Sequence, residues 1–204
     1  MNIRKLEFDS AEVYVLDDVN AFSAQDLKRL FAELPKWRQE EVLSFKHEKN
    51  RRESILSFHL LSEVLSKEYG INEDLVFSYS EHGKPFILQH QSIHFNISHC
   101  EEAVACIVGD AEVGIDVECR GRYKKSVAQH VMNDAEMKFI KGHVNSDLAF
   151  TALWTQKEAL LKMKGVGVSC NMRDVLDNQV QYDMATFYEA KYICSVAAIK
   201  KNSR

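Results

Sequence analysis

One order of elements occurs twice in this sequence of 204 residues, and it constrains the fold more than any single motif. A strand-like run gives way to helices, and the helices give way to further short strands, first up to about residue 108 and then again to the end of the chain. Recurrence on that scale predicts two similar halves meeting near residue 108. With only 2 Pro and 8 Gly and no low-complexity tract, little sequence is left for a linker, so the halves are expected to pack together.

In the first pass, residues 5–16 end in the alternation of Val13 and Val15, a strand signal. Ser23 is placed to cap a helix reaching Leu34, where Pro35 stops it. The longest helix is expected from about Glu40 to Tyr69, because Ile55, Phe58, Leu61 and Leu65 recur at three- and four-residue spacing and Gly70 follows. Short apolar runs then alternate with turns: 75–79, the turn Glu81-His82-Gly83-Lys84-Pro85, 86–88, 94–97, 103–108 and 113–118. In the second pass helices are expected at 126–131, at 134–142 behind the cap Asn133, and from about Asp147 to Lys164, closed by Gly165. The tail from Asp183 to Ile199 reads as one or two closing strands.

The charge balance, 26 Lys+Arg against 30 Asp+Glu, gives −4, which argues against general adhesion to nucleic acid or to a membrane surface. Five cysteines, Cys100, Cys106, Cys119, Cys170 and Cys194, are odd in number and contain no C-x-x-C pair, so neither a disulfide framework nor a thiolate metal site is indicated. Charges at Arg4, Lys5, Glu7, Asp9 and Glu12 interrupt any secretory signal, and no window approaches the roughly 20 apolar residues of a membrane helix. A cytoplasmic protein without a membrane anchor is expected.

Three segments carry candidate chemistry. In Val113-Gly114-Ile115-Asp116-Val117-Glu118, strand alternation puts Asp116 and Glu118 on one face and Ile115 and Val117 in a core. Two adjacent carboxylates repel unless a cation or water separates them, although a solvated strand edge would look the same. In the helix around Trp154, Glu158 and Lys162, four-residue spacing lines the three up along one face. Taken singly, Glu158 and Lys162 also read as a surface ion pair worth a few tenths of a kcal/mol. Phe95-Asn96-Ile97-Ser98-His99 runs from a strand into a polar turn, where Ser98 and His99 are able to bond phosphate oxygens.

Taken in this order, Phe95-Asn96-Ile97-Ser98-His99, Val113-Gly114-Ile115-Asp116-Val117-Glu118 and Trp154-Thr155-Gln156-Lys157-Glu158-Ala159-Leu160-Leu161-Lys162 resemble the 4′-phosphopantetheinyl transferases of the Sfp type, in the holo-acyl-carrier-protein synthase superfamily. The resemblance is strongest over residues 84–167. It implies an α/β (α+β) fold of two pseudo-symmetric halves, 1–108 and 109–204, each a small mainly antiparallel sheet packed with a long helix. It also implies a monomeric enzyme that moves the 4′-phosphopantetheine arm of coenzyme A onto a serine of an apo acyl or peptidyl carrier protein, releasing adenosine 3′,5′-bisphosphate.

Carried over by position, the resemblance makes Asp116 and Glu118 magnesium ligands and Glu158 a third ligand or the base acting on the serine. Lys162 would touch the pyrophosphate, Ser98 and His99 the phosphates of coenzyme A, and Lys84 the adenylate. Glu136 falls on a further acidic position of the catalytic set. For the 3′-phosphate, Lys46, Lys49, Arg51 and Arg52 crowd the region, but ungapped alignment on Ile55-Leu56 puts Glu53 where the arginine should be, so Arg52 is favoured, with Arg51 next. Arg120, Arg122, Lys124 and Lys125 are placed to steer an acidic carrier, and Met163, Val166 and Val168 to add an apolar docking surface. Two other functions suit clustered carboxylates with a lysine: a magnesium-dependent nucleotide or coenzyme A phosphohydrolase, and a binding module without chemistry.

Overall fold

The computed structural model describes residues 2–166, 171–177, 179 and 181–200. The first half opens with the antiparallel strands β1 (Ile3–Leu6) and β2 (Glu12–Asp17), two strands where the sequence shows one strand signal. Helices α1 (Ala24–Glu33), α2 (Lys36–Ser44) and α3 (Glu48–Tyr69) follow. Ser23 caps α1 reciprocally: its hydroxyl accepts from the Asp26 amide and the Asp26 carboxylate accepts from the Ser23 amide. The single helix expected from Glu40 is interrupted at residues 45–47, and the Phe45 carbonyl freed by the break accepts Arg51 Nε at 2.8 Å. A ribbon of β3 (Phe77–Tyr79) and β4 (Pro85–Ile87) leads to the hairpin β5 (His94–His99) and β6 (Ala103–Gly109).

The second half contains β7 (Val113–Cys119), α4 (Lys125–Val131), α5 (Asp134–Gly142), α6 (Ser146–Lys164), a 3-10 turn at Met172–Asp174, and the hairpin β8 (Tyr182–Tyr188) and β9 (Tyr192–Ile199). Two sheets form, in the orders β1-β2-β6-β5 and β7-β9-β8, with every pairing antiparallel. The repeat expected from the element order is topological. In each half a strand, β2 or β7, is followed by helices and a hairpin whose second strand, β6 or β9, returns to pair with it.

The layers run helix, sheet, sheet, helix. Leu56, Leu60 and Leu61 of α3 cluster with Tyr14, Leu16, Val104 and Cys106 on one face of the first sheet. On its other face Val13, Val15, Ala105 and Ile107 cluster with Ile115, Val117, Cys194 and Val196 of the second sheet. Beyond that sheet, Ala159, Leu160 and Met163 of α6 close over Ala197. Central strands are therefore dry on both faces, which is why all of β6 is buried and its sequence reads as one apolar run. No helix among the described residues is long and apolar enough to cross a membrane.

One contact inside the second half and one between the halves fix the geometry at the seam. At Gly114 an added Cβ would lie 2.0 Å from the Ala159 carbonyl oxygen and 2.4 Å from the Met163 nitrogen, so α6 lies backbone-on-backbone across β7. On the opposite side, β5 is joined to β7 by side chains: Asn96 Oδ1 accepts the Ile115 amide at 3.0 Å and Ser98 Oγ accepts the Val117 amide at 3.2 Å. Both groups are buried, so these bonds satisfy amides that no second strand pairs on that edge.

Candidate active site

At the seam, Ser98 and His99 from β5, Asp116 and Glu118 from β7, and Trp154, Glu158 and Lys162 from α6 line one cleft of about 330 Å³. The alternation expected of β7 holds: Ile115 and Val117 are fully buried in the inter-sheet core, while Asp116 and Glu118 face α6 and the cleft. The Gly114 crossing brings α6 close enough for Lys162 Nζ to donate to Asp116 Oδ1 at 2.6 Å and to Ser98 Oγ at 3.0 Å. Ser98 Oγ in turn donates to Asp116 Oδ1 at 3.0 Å. One oxygen of the buried Asp116, Oδ2, has no hydrogen-bond partner.

Glu118 and Glu158 are both held above the ordinary carboxylate range. Burial is the first cause in each case and the Asp116 charge the second. Lys162 pulls both back down, assisted at Glu118 by Arg122, 3.3 Å away, and by a hydrogen bond from Trp154. A raised acid favours the folded state below the ordinary carboxylate range, and that contribution is lost as pH rises through the raised pKa. At neutral pH these carboxylates therefore oppose folding. Glu158→Gln is accordingly expected to raise the melting temperature by a few degrees at pH 7, with the gain shrinking toward pH 4, where the native carboxyl carries its own proton. Thermal denaturation at the two pH values checks this, and identical melting of both proteins at pH 7 would show that the acids do not repel.

His99 is held below its ordinary range, first by burial and further by Lys162 and Lys49, with Glu53 and Asp116 opposing. Near neutral pH it therefore serves as a hydrogen-bonding imidazole. Its Nδ1 lies 3.4 Å from Glu53 Oε2, and Lys49 is 3.9 Å from the same carboxylate. The acidic residue found in place of an arginine by alignment on Ile55-Leu56 thus stands at the edge of the cleft.

Several expected site residues lie elsewhere. Glu136 does not line the cleft: its Oε2 accepts the Asn133 amide in the α5 capping box and meets Lys157 Nζ, each at 2.8 Å. Arg51 is spent on the Phe45 carbonyl, and Arg52 donates to Asn20 Oδ1 at 2.7 Å; both line a separate groove beside α1 and α2. Lys84 Nζ is taken up by Glu112 and by the carbonyls of Val113 at 3.2 Å and Met163 at 2.8 Å. Its ammonium ties the β3–β4 turn to the second half, while the residue lines a neighbouring cleft of about 230 Å³ that shares Glu158 and Lys162 with the first. Met163 is buried in the core instead of on a docking surface, and Val168 lies outside the described residues.

Sequence reasoning assigned no role to Asn96 or Lys157. Lys157 had a legible signal: it falls on the same stripe of α6 as Phe150, Leu153, Leu160 and Leu161, and a lysine there must be buried with partners.

A divalent cation fits the donor set. Asp116 offers a buried, unpartnered oxygen, and Glu118 and Glu158 carry mutually repelling charge into the same cleft. As the side chains stand, no group of three His, Cys, Asp or Glu among the described residues is arranged to hold a metal.

Two family models match the chain. The 4′-phosphopantetheinyl transferase superfamily model covers residues 112–202, and the 4′-phosphopantetheinyl transferase N-terminal model covers residues 21–111. Among curated proteins, the chain is 26% identical to the 4′-phosphopantetheinyl transferase Sfp of Bacillus subtilis over 179 residues, 84% of this chain and 80% of that protein. It is 31% identical to the 4′-phosphopantetheinyl transferase gsp of Aneurinibacillus migulanus over 157 residues, 74% of this chain and 65% of that protein. The 4′-phosphopantetheinyl transferase psf-1 of Bacillus pumilus is 29% identical over 157 residues, 76% of this chain and 66% of that protein. The chain belongs to the 4′-phosphopantetheinyl transferase superfamily, enzymes that place phosphopantetheine on carrier proteins.

Proposed function

We propose that this chain transfers the 4′-phosphopantetheine arm of coenzyme A to the serine hydroxyl of an acyl or peptidyl carrier protein, releasing adenosine 3′,5′-bisphosphate. The observation that carries this reading is the meeting of Ser98 from the first half with Asp116, Glu158 and Lys162 from the second in one cleft, in a chain of this superfamily. The serine oxygen attacks the phosphorus bearing the pantetheine arm, the pyrophosphate P–O bond breaks, and the hydroxyl proton passes to a carboxylate. Glu158 is the acceptor, because its raised pKa brings its basicity nearer to neutral pH. Lys162 donates to the oxygens on which charge accumulates as the bond breaks, and Ser98 and His99 hold the phosphates by hydrogen bonds. With Glu158 taken as the proton acceptor, Asp116 and Glu118 would hold magnesium, which when bound neutralises pyrophosphate charge.

The boundary near residue 108 divides these tasks, with the coenzyme A phosphates on the first half and the acids on the second. Both walls come from one chain, which supports a monomer, and the free thiols of Cys100, Cys106, Cys119 and Cys194 support a reducing, cytoplasmic setting. The carrier docks on the groove beside the cleft, rimmed by Arg122 and Lys124, whose charge suits an acidic partner helix. The test is intact-mass spectrometry of apo carrier proteins incubated with enzyme, coenzyme A and magnesium. A gain equal to phosphopantetheine is expected on at least one carrier. Unmodified carriers across fatty-acid, polyketide and peptide types, with folded enzyme, would overturn the reading, and coenzyme A breakdown without a carrier would favour a hydrolase.

A further inference from the structure

The most completely buried charge among the described residues of the second half takes no part in the cleft. Lys157 precedes Glu158 on α6 but points the other way and is fully buried. Its Nζ lies 2.6 Å from the Met172 carbonyl, 2.8 Å from Glu136 Oε2, and 3.2 Å from the carbonyls of Val131 and Arg173. Arg173 reaches back from the same 3-10 turn, Nε to the Met132 carbonyl at 3.0 Å and Nη2 to the Gln129 carbonyl at 3.2 Å. Asn133 closes the ring by donating Nδ2 to the Arg173 carbonyl at 3.3 Å.

Those partners share one beneficiary. Helix α4 has seven residues, too few to stand alone, and no side chain caps its N-terminus. Helix formation leaves its last carbonyls without partners, and Lys157 and Arg173 supply donors to Gln129, Val131 and Met132. The outer side of α4 presents Val127, which with Lys124, Arg122, Phe150, Trp154 and Glu118 lines a groove of about 460 Å³. That groove opens onto the catalytic cleft, since Glu118 and Trp154 line both.

We infer that Lys157, with Glu136 and Arg173, positions α4 as a wall of the carrier-binding groove, and so sets affinity for the carrier and not for coenzyme A. The inference rests on the docking reading given above. It makes Glu136 a positioning residue through Lys157, in place of the catalytic role expected from sequence. Lys157 shares no hydrogen-bond partner with the cleft residues Asp116, Ser98 and Lys162, so the cluster and the catalytic contacts are separate networks.

The experiment compares Lys157→Met, Arg173→Met and Val127→Asp with the wild type in steady-state transfer and in amide hydrogen exchange. Lys157→Met is expected to raise KM for the carrier about 10-fold with KM for coenzyme A within about twofold, and to speed exchange across residues 125–133. Arg173→Met, in which an exposed residue is changed, is expected to move both readouts the same way by about threefold and decides the matter if Lys157→Met does not fold. Folded variants with unchanged exchange in α4 or an unchanged carrier KM overturn the inference, provided Val127→Asp raises that KM. If Val127→Asp leaves carrier KM unchanged while the hub variants still loosen α4, the docking reading is what fails, and the inference about carrier affinity falls with it.

Discussion

Replacing Gly114 with alanine is expected to destabilise the native fold severely. The new methyl carbon would sit 2.0 Å from the Ala159 carbonyl oxygen and 2.9 Å from Met163 Cα, distances at which real carbon atoms are never found. The three nearest atoms it meets are all backbone, in the last two turns of the 19-residue helix α6, so no side chain can swing aside to relieve them. Relief requires α6 to lift off β7, which would open the contact of Ala159, Leu160 and Met163 with Ala197. It would also part the buried hydroxyl pair Thr155 Oγ1 and Ser195 Oγ, now 2.7 Å apart. Overpacking alone typically costs about 1–3 kcal/mol. Adding the lost burial and hydrogen bond brings the expected loss above about 4 kcal/mol, a large part of a domain's stability. Circular dichroism and denaturant titration would measure it, and a cooperative transition within a few degrees of wild type would refute the close crossing.

Asp116→Asn is expected to leave the fold intact and to lower transfer about 10³-fold, which corresponds to about 4 kcal/mol of transition-state stabilisation. The amide matches the carboxylate in shape and can still accept from Ser98, so the seam between β5 and β7 is preserved. What disappears is the negative charge that orients Lys162 and leaves a free buried oxygen toward the cleft. Single-turnover mass spectrometry with a saturating carrier isolates that step. Activity within tenfold of wild type, in a variant with unchanged melting behaviour, would remove Asp116 from the catalytic set. The pairing with Lys162 makes a further point of interpretation: Lys162→Met should cost activity as well, and the two losses should fall short of adding, because one contact is removed by either change.

Much of the second half was legible from sequence because its signals are local. Asn133 and Glu136 form the capping box that begins α5, Gly165 ends α6 in the left-handed conformation, and strand alternation alone assigned Asp116 and Glu118 to one face. The interruption between α2 and α3 carries no Gly or Pro. It is stabilised by bonds from a distance, Arg51 to Phe45 and Arg38 to the Ser54 carbonyl, which no local pattern announces. Cationic residues misled for a related reason. Arg51, Arg52 and Lys84 look alike in sequence as candidates for phosphate, yet backbone carbonyls and neighbouring side chains occupy all three. Among the lysines and arginines assigned to phosphate from sequence, Lys162, whose partners are Ser98 and Asp116, is the one that lines the cleft with Asp116, Glu118 and Glu158. Chain identity told which residues carry charge; the packing of α6 decided where that charge was available.

The joint between β5 and β7 has an evolutionary consequence. Where two strands are normally stitched by main-chain groups that every sequence shares, here the stitches are the amide of Asn96 and the hydroxyl of Ser98, which are encoded. Spacing across the joint is thereby open to selection at two codons, and an enzyme of this design can adjust the reach between its donor and acceptor walls without rebuilding either hydrophobic interior.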